Sequence, residues 1–239
     1  MMRLESAPDQ HSLATAVASA ALSVLAAVQQ EGRVPVCALT GGSMGIATLA
    51  AIATHAELDT VDWSRVALIW GDERWLPAGD PERNELQADD ALLRLLPLDP
   101  SLVYRVDASD AGFSLDEAAD RYAATIDALP RVDLAFYGVG PDGHVASLFP
   151  GRDDLLREGP GVPSAIAVRD SPKPPPERVT LTLEAIRRAD RVWLLAAGAG
   201  KAEAVAEIRR PGAVLLPAAR ITGRDETVLW ADEAALGAS

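Results

Sequence analysis

The sequence predicts an α/β fold, a mostly parallel sheet covered by helices on both faces. Three observations carry this. Short apolar runs without helical spacing recur along the chain, as buried strands do. Apolar stretches at helical spacing alternate with them from end to end. The Gly-rich and charged clusters fall just past the apolar runs, and right-handed crossovers would bring all those strand ends to one edge.

The elements follow in order. His11 to Gln30 is Ala-rich, with Leu13, Val17, Val24 and Val28 at helical spacing, and Gly32 stops it. Arg33 to Leu39 reads as a strand, Thr40-Gly41-Gly42-Ser43 as a tight loop, and Met44 to His55 as an apolar helix. Val66 to Trp70 is the next strand and ends in Gly71-Asp72-Glu73-Arg74-Trp75. Pro77, Gly79 and Pro81 mark a loop, after which Asn84 is expected to cap a helix running through Leu95. Leu102 to Val106 reads as a short strand, and Ser114 with Glu117 as a capping box for a helix to about Leu129.

The central stretch, Asp133 to Gly151, begins as a buried strand and breaks at Gly138, Gly140, Pro141 and Gly143. Asp142 and His144 emerge from that loop, ahead of an apolar turn from Val145 to Phe149. Gly151 to Gly161 is loop-like, Ala165 to Arg169 a short strand, and Asp170 to Arg178 a Pro-rich connector carrying Lys173 and Arg178. Val179 to Arg188 starts extended and ends helical. Arg191 to Ala197 is a strong strand, followed by Gly198-Ala199-Gly200-Lys201 and a helix to about Arg210. Thr227 to Trp230 is the last strand.

At 239 residues, one large or two small domains could each bury a core. Hydrophobic residues at 49% and charged ones at 24% match an ordinary soluble protein. No apolar stretch is expected to reach the roughly 18 residues of a membrane span, and the polar N-terminus lacks the form of a signal peptide. The single Cys37 sits in an apolar run with no basic neighbour, as a core residue does rather than a nucleophile. These points favour the cytoplasm. A net charge of −13 argues against nucleic acid and anionic membranes as partners. An anionic substrate would therefore need a local cluster of Lys, Arg and backbone N–H groups.

Each cluster has two readings. The Thr40 to Ser43 loop before a helix offers free N–H groups to an anion, or is a steric turn. It lacks the lysine of a P-loop and the spacing of a dinucleotide fingerprint. Lys201 is a point charge for phosphate or a solvated helix residue. Asp72, Glu73 and Arg74 are a solvated charge patch or a substrate contact, and their place at a strand end favours contact. Asp142 and His144 offer an acid–base pair, because an imidazole can take a proton from water at neutral pH while a carboxylate orients it. The chain has three His, and His11 and His55 have no accompanying cluster. No set of His, Cys and carboxylates has metal-ligand spacing, so neither a metal nor another cofactor is expected.

Together TGGS, WGDERW with a downstream N-E, DLAFYGVGPDGHVASLFPG, SPKPPPERVTLT and GAGKAEA resemble the 6-phosphogluconolactonase family, colinearly from about Arg33 to Lys201. The resemblance implies a three-layer α/β/α sandwich shared with glucosamine-6-phosphate deaminase, one such domain over residues 1–239. It implies hydrolysis of 6-phosphoglucono-δ-lactone, a sugar phosphate lactone, in the oxidative pentose phosphate pathway without a metal. A functional coupling to glucose-6-phosphate dehydrogenase goes with that place. By the same resemblance His144 is the base that activates water and Asp142 its neighbour, and Arg74 and Asp72 face the substrate. Thr40, Gly41, Gly42 and Ser43 form part of a phosphate loop, with Lys201 and Arg178 as further phosphate contacts. Two alternatives stand beside it: an amino-sugar-phosphate isomerase/deaminase on the same fold, and a non-catalytic sugar-phosphate sensor. The first would place a Glu soon after the loop histidine; Val145 to Gly151 contains no acid, which counts against it, but Asp72 remains as a carboxylate for that role.

Overall fold

In the computed structural model, which describes residues 2–237, the long apolar runs pair as parallel strands. The chain runs β1 (Arg3–Ala7), α1 (Gln10–Gln30), β2 (Val36–Leu39), α2 (Gly42–Ala53), β3 (Ala67–Trp70), β4 (Asp72–Arg74), α3 (Asn84–Ala91) and α4 (Leu115–Ala128). It continues with β5 (Leu134–Gly138), β6 (Ala165–Val168), β7 (Arg178–Leu181), α5 (Leu183–Ile186), β8 (Arg191–Ala196), α6 (Ala202–Ile208), α7 (Pro217–Arg220) and β9 (Glu226–Asp232).

Six strands form an all-parallel sheet in the order β1-β9-β8-β5-β2-β3, with Cys37 of β2 level with Leu68 on one side and Leu134 on the other. Both faces of the sheet are buried, and the two-residue period of a strand sends alternate side chains to two separate cores. Cys37, Leu39, Leu134, Phe136, Trp193 and Trp230 pack against α1, α2 and α3. Val36, Ala38, Ala135, Tyr137, Leu194 and Ala231 pack on the other face, against α4 to α7. The aromatic rings on the first face stack across strands, Phe136 to Trp193 at 5.8 Å and Trp193 to Trp230 at 5.3 Å. Helix, sheet and helix make the expected three layers.

The sheet order places the site. From β2 the chain winds through α2 to β3 on one side, whereas β5 lies on the other side of β2 and leads on to β8 and β9. The loops leaving β2 and β5 therefore part in opposite directions and open a crevice at their C-terminal ends.

Several local expectations are corrected. Helix α1 does reach the length and hydropathy of a membrane span, with a mean hydropathy of 1.7. Its Leu13, Val17, Leu22 and Leu25 are instead buried in the α1–α2 core. Each such side chain contributes roughly 1.5–3 kcal/mol by leaving water. Strand β1, in the polar N-terminus, was not expected; it lies on the sheet edge beside β9. Strands and helices do not alternate throughout. Between β5 and β8 the chain adds β6 and β7, which join the earlier β4 in a second, antiparallel sheet β4-β7-β6, with only the one-turn α5 in place of a full crossover helix. GDERW is thus not a loop: Asp72–Arg74 is strand β4 of that sheet. The stretch from Leu102 to Val106 makes a single bridge, Val103 to Leu68, after a turn of 3-10 helix at Pro100–Leu102. Asn84 is not a cap but the first residue of α3, and the helix ends at Ala91. The capping box of Ser114 and Glu117 is present as expected. Cys37 is a buried core residue, and burial pushes its thiol pKa up.

Candidate active site

A cavity of about 240 Å³ opens in that crevice, walled by four strand-end segments. Residues 40–43 line it from β2, Asp72 and Arg74 from β4, Gly140 and His144 from the loop after β5, and Lys201 from the turn after β8. Lys173 and Arg178 close it from the Pro-rich strap.

The loop after β5 presents the acid–base pair. It is a tight turn in which Gly143 N donates to Gly140 O at 2.9 Å and Gly140 N to His144 O at 2.9 Å. That turn folds the His144 ring back over Gly140, where a Cβ would stand 1.9 Å from Nδ1, so only glycine fits. His144 Nδ1 lies 2.5 Å from Asp142 Oδ1, and the ring packs on Phe149 with centroids 4.9 Å apart. With Nδ1 held by a carboxylate, Nε2 is left as the basic nitrogen. Lys173 Nζ adds a third member, 3.2 Å from Asp142 Oδ1 and 3.1 Å from His144 Nδ1. Burial lowers the His144 pKa below its usual value; Asp142 opposes this and Lys173 adds to it. Burial opposes ionisation of Asp142 too, but His144 and Lys173 outweigh it and hold that carboxyl at about 2. The pair at neutral pH is a carboxylate beside a neutral imidazole.

Strand β4 builds the facing wall by alternation. Asp72 and Arg74 point to the cavity, and Glu73 between them points away and is buried. Asp72 Oδ2 accepts from Ser147 Oγ at 2.6 Å and lies 3.7 Å from Arg178. Glu73 takes the backbone N–H groups of Arg74 and Asn84 on Oε1, each at 2.7 Å, and that of Glu85 on Oε2 at 2.9 Å. It thereby caps α3 from a neighbouring element and frees the Asn84 side chain. Asn84 Nδ2 donates to Asp72 O at 2.8 Å, and a Cβ on Gly41 would come within 1.9 Å of its Oδ1. Arg74 donates to Glu82 O, and its Nε is buried with no hydrogen-bond partner among the described residues.

The other end of the cavity is cationic. Gly42, at φ 77, starts α2 and turns the 40–43 loop toward the cavity, while Thr40 Oγ1 accepts from Gly138 N at 3.3 Å. Lys201 is half-buried beside Lys173, and burial first, then that like charge, lower its pKa. Arg178 donates to Lys173 O, Pro174 O and Pro175 O at 3.0, 2.9 and 3.1 Å, so its guanidinium holds the strap as well as charging the wall. Among the described residues no three His, Cys, Asp or Glu come together as a metal site.

The chain is similar to known proteins in sequence and in fold. Residues 8–230 match the family model of glucosamine-6-phosphate isomerases/6-phosphogluconolactonase. The chain belongs to that family. Among the curated members it resembles, the 6-phosphogluconolactonase of Streptomyces coelicolor is 44% identical over 95% of this chain and 90% of its own length. That of Mycobacterium tuberculosis is 42% identical over 95% and 94%. Among solved structures, 6-phosphogluconolactonase from Trypanosoma brucei superposes with a TM-score of 0.84 at 25% identity, covering 99% of this chain and 98% of that one. A monomeric glucosamine-6-phosphate deaminase shares the fold, with a TM-score of 0.82 at 18% identity over 100% of both chains.

Every site residue expected of a family member from the motifs lies on this one cavity: Thr40, Gly41, Gly42, Ser43, Asp72, Arg74, Asp142, His144, Arg178 and Lys201, though Asp142 only through its contacts with His144 and Lys173. Sequence reasoning gave Asn84 a capping role and left Lys173 in a connector. It offered Glu73 with Asp72 and Arg74 as a substrate contact, whereas strand alternation turns Glu73 away from the cavity and buries it on backbone N–H groups; it did not single out Ser147. The one available signal was the N-E after WGDERW, which is the pair that Glu73 holds.

Proposed function

We propose that the chain hydrolyses 6-phospho-D-glucono-1,5-lactone to 6-phosphogluconate, with His144 as the general base. The observation that carries this is an imidazole, fixed by a carboxylate, facing the same cavity as a cationic end suited to phosphate. The phosphate binds at the 40–43 loop and Lys201, with Arg178 adding charge at the wall, which sets the lactone carbonyl near His144. His144 Nε2 takes a proton from water as its oxygen attacks C1. Negative charge gathers on the carbonyl oxygen, and Arg74 is the donor of choice there, because the Gly140 and Gly143 amides are engaged within their loop. As the tetrahedral intermediate collapses, the C1–ring oxygen bond breaks and the imidazolium returns its proton to that oxygen.

The names of the curated relatives support this reading, and so does the apolar turn behind His144. Val145, Leu148 and Phe149 are buried there and the turn carries no acid, which leaves Asp72 of β4, bonded by Ser147, as the carboxylate a deaminase would have to use. The reaction is the second step of the oxidative pentose phosphate pathway, and a functional coupling to glucose-6-phosphate dehydrogenase follows. The test is freshly generated 6-phosphogluconolactone, followed by acid release above the spontaneous background. No acceleration, or release of ammonia from glucosamine 6-phosphate instead, would refute the assignment.

A further inference from the structure

Among the described residues, Lys173 is the one cation in the cavity that touches His144. Its root is fixed: Lys173 O accepts from Arg178 and Lys173 N donates to Ser171 Oγ at 3.3 Å. Its head is not, for the side chain is 37% exposed and spans four methylenes. Nζ rests between Asp142 Oδ1 and His144 Nδ1, at 3.2 and 3.1 Å. At 2.5 Å the Nδ1–Asp142 contact occupies the single site that Nδ1 offers, so the ammonium pairs with the carboxylate and stands beside the ring, where it opposes protonation of the imidazole.

That placement works against the chemistry. A base must become an imidazolium during attack, and a neighbouring cation makes it a weaker one. The same cavity, however, carries the 40–43 loop and Lys201, the place for an anion. Lys173 and Lys201 line the same cavity, so an anion there would attract both.

We propose that Lys173 is an anion-triggered positioning residue: in the arrangement seen here its ammonium rests on the Asp142–His144 pair, and an anion at the cationic end draws it away and releases His144 to act as base. Binding and base strength are then one equilibrium. By reciprocity, an anion that increases the proton affinity of His144 is itself bound more tightly when His144 is protonated. The other charged groups around the ring are fixed and do not substitute for this motion. Asp142 is on its own loop, Asp72 faces it from β4 with Ser147 bonded to it, and Arg178 lies behind Phe149, 6.0 Å from that ring.

The catalytic meaning of the inference rests on the lactonase reading, but its test does not need turnover. The imidazole of His144 is titrated by NMR, assigned with His144→Gln, in chloride and in inorganic phosphate at equal ionic strength. His11 and His55 serve as internal references. In the wild type, phosphate should raise the His144 midpoint by about one unit, about tenfold in proton affinity. In Lys173→Met the midpoint in chloride should already be raised by about that much, with less than half the phosphate response left. Lys173→Arg, which keeps the charge, should restore part of the response and guards against a misfolded methionine variant. Equal midpoints for wild type and Lys173→Met in chloride would overturn the proposal, as would equal phosphate responses. A normal titration without lactone hydrolysis would instead refute the functional reading and leave the switch standing.

Discussion

His144 is held from three sides, and each side sets something measurable. Burial and Lys173 lower its pKa while Asp142 raises it, with burial the largest. On the proposed role as base, the active form is the neutral ring, so a lowered pKa extends activity to more acid solution. The acid limb of kcat/KM should therefore have its midpoint below 6.5, the ordinary histidine value, and a midpoint at or above 6.5 would contradict the buried geometry. His144→Gln keeps a polar group of similar reach and removes the base, so kcat should fall by roughly 10²–10⁴ with KM little changed. Lys201→Ala should act on binding instead. A charge-assisted contact to phosphate is worth roughly 1.5–3 kcal/mol, and unphosphorylated gluconolactone should not feel the change; equal losses on both substrates would remove Lys201 from the phosphate site. At this scale Asp142 and His144 were legible because a Gly-rich turn past a strand announces itself. Asn84 and Lys173 were not, because their roles come from partners far along the chain, Asp72 and His144.

Strand β4 is three residues long and carries two acids and an arginine, a composition that strand propensity opposes. It forms because its neighbours hold it. Arg83, fully buried, donates to Arg74 O, Leu76 O and Val106 O, and Glu73 takes the first N–H groups of α3. Nothing local in the sequence encodes such a strand, which is why GDERW reads as a loop. Glu73→Gln puts an amide N–H against a backbone N–H, and at pH 5 it should cost about 1–3 kcal/mol, read as a lower Tm. Burial, against Arg83 and three backbone N–H groups, pushes the Glu73 pKa up from 4.5 to about 7. A folded pKa above the unfolded one means stability that is complete below 4.5 and is lost as pH rises through 7. The advantage of wild type over Glu73→Gln should therefore shrink between those values; an advantage that grows would show that the carboxylate is the favoured buried form. The strap offers a parallel case. Arg178→Lys keeps the charge and loses the fork that holds three carbonyls. The 171–176 segment should then become a site of limited proteolysis, with slower lactone hydrolysis, and an unchanged digestion pattern would show that the strap holds itself.

Across the whole molecule, the alternation of apolar runs and helices was enough to place the parallel sheet, its two cores and the edge where the loops meet. What it could not supply was pairing between distant segments: the second sheet, which joins β4 to β6 and β7 much later in the chain, and the outer strand β1, whose alternating charges Arg3 and Glu5 read as a polar terminus. Pairing of β1 with β9 has a consequence for how the protein is made. A ribosome releases β1 first, yet the strand that receives it comes last, after every other strand of the sheet. From the time β8 is made until β9 follows, its Trp193, Leu194 and Leu195 are therefore a bare apolar edge of the kind that recruits other chains. A nascent chain shortened to end at residue 225 should accordingly bind a general chaperone and precipitate when freed of it. A soluble, cooperatively melting fragment of that length would mean the sheet closes without its last strand.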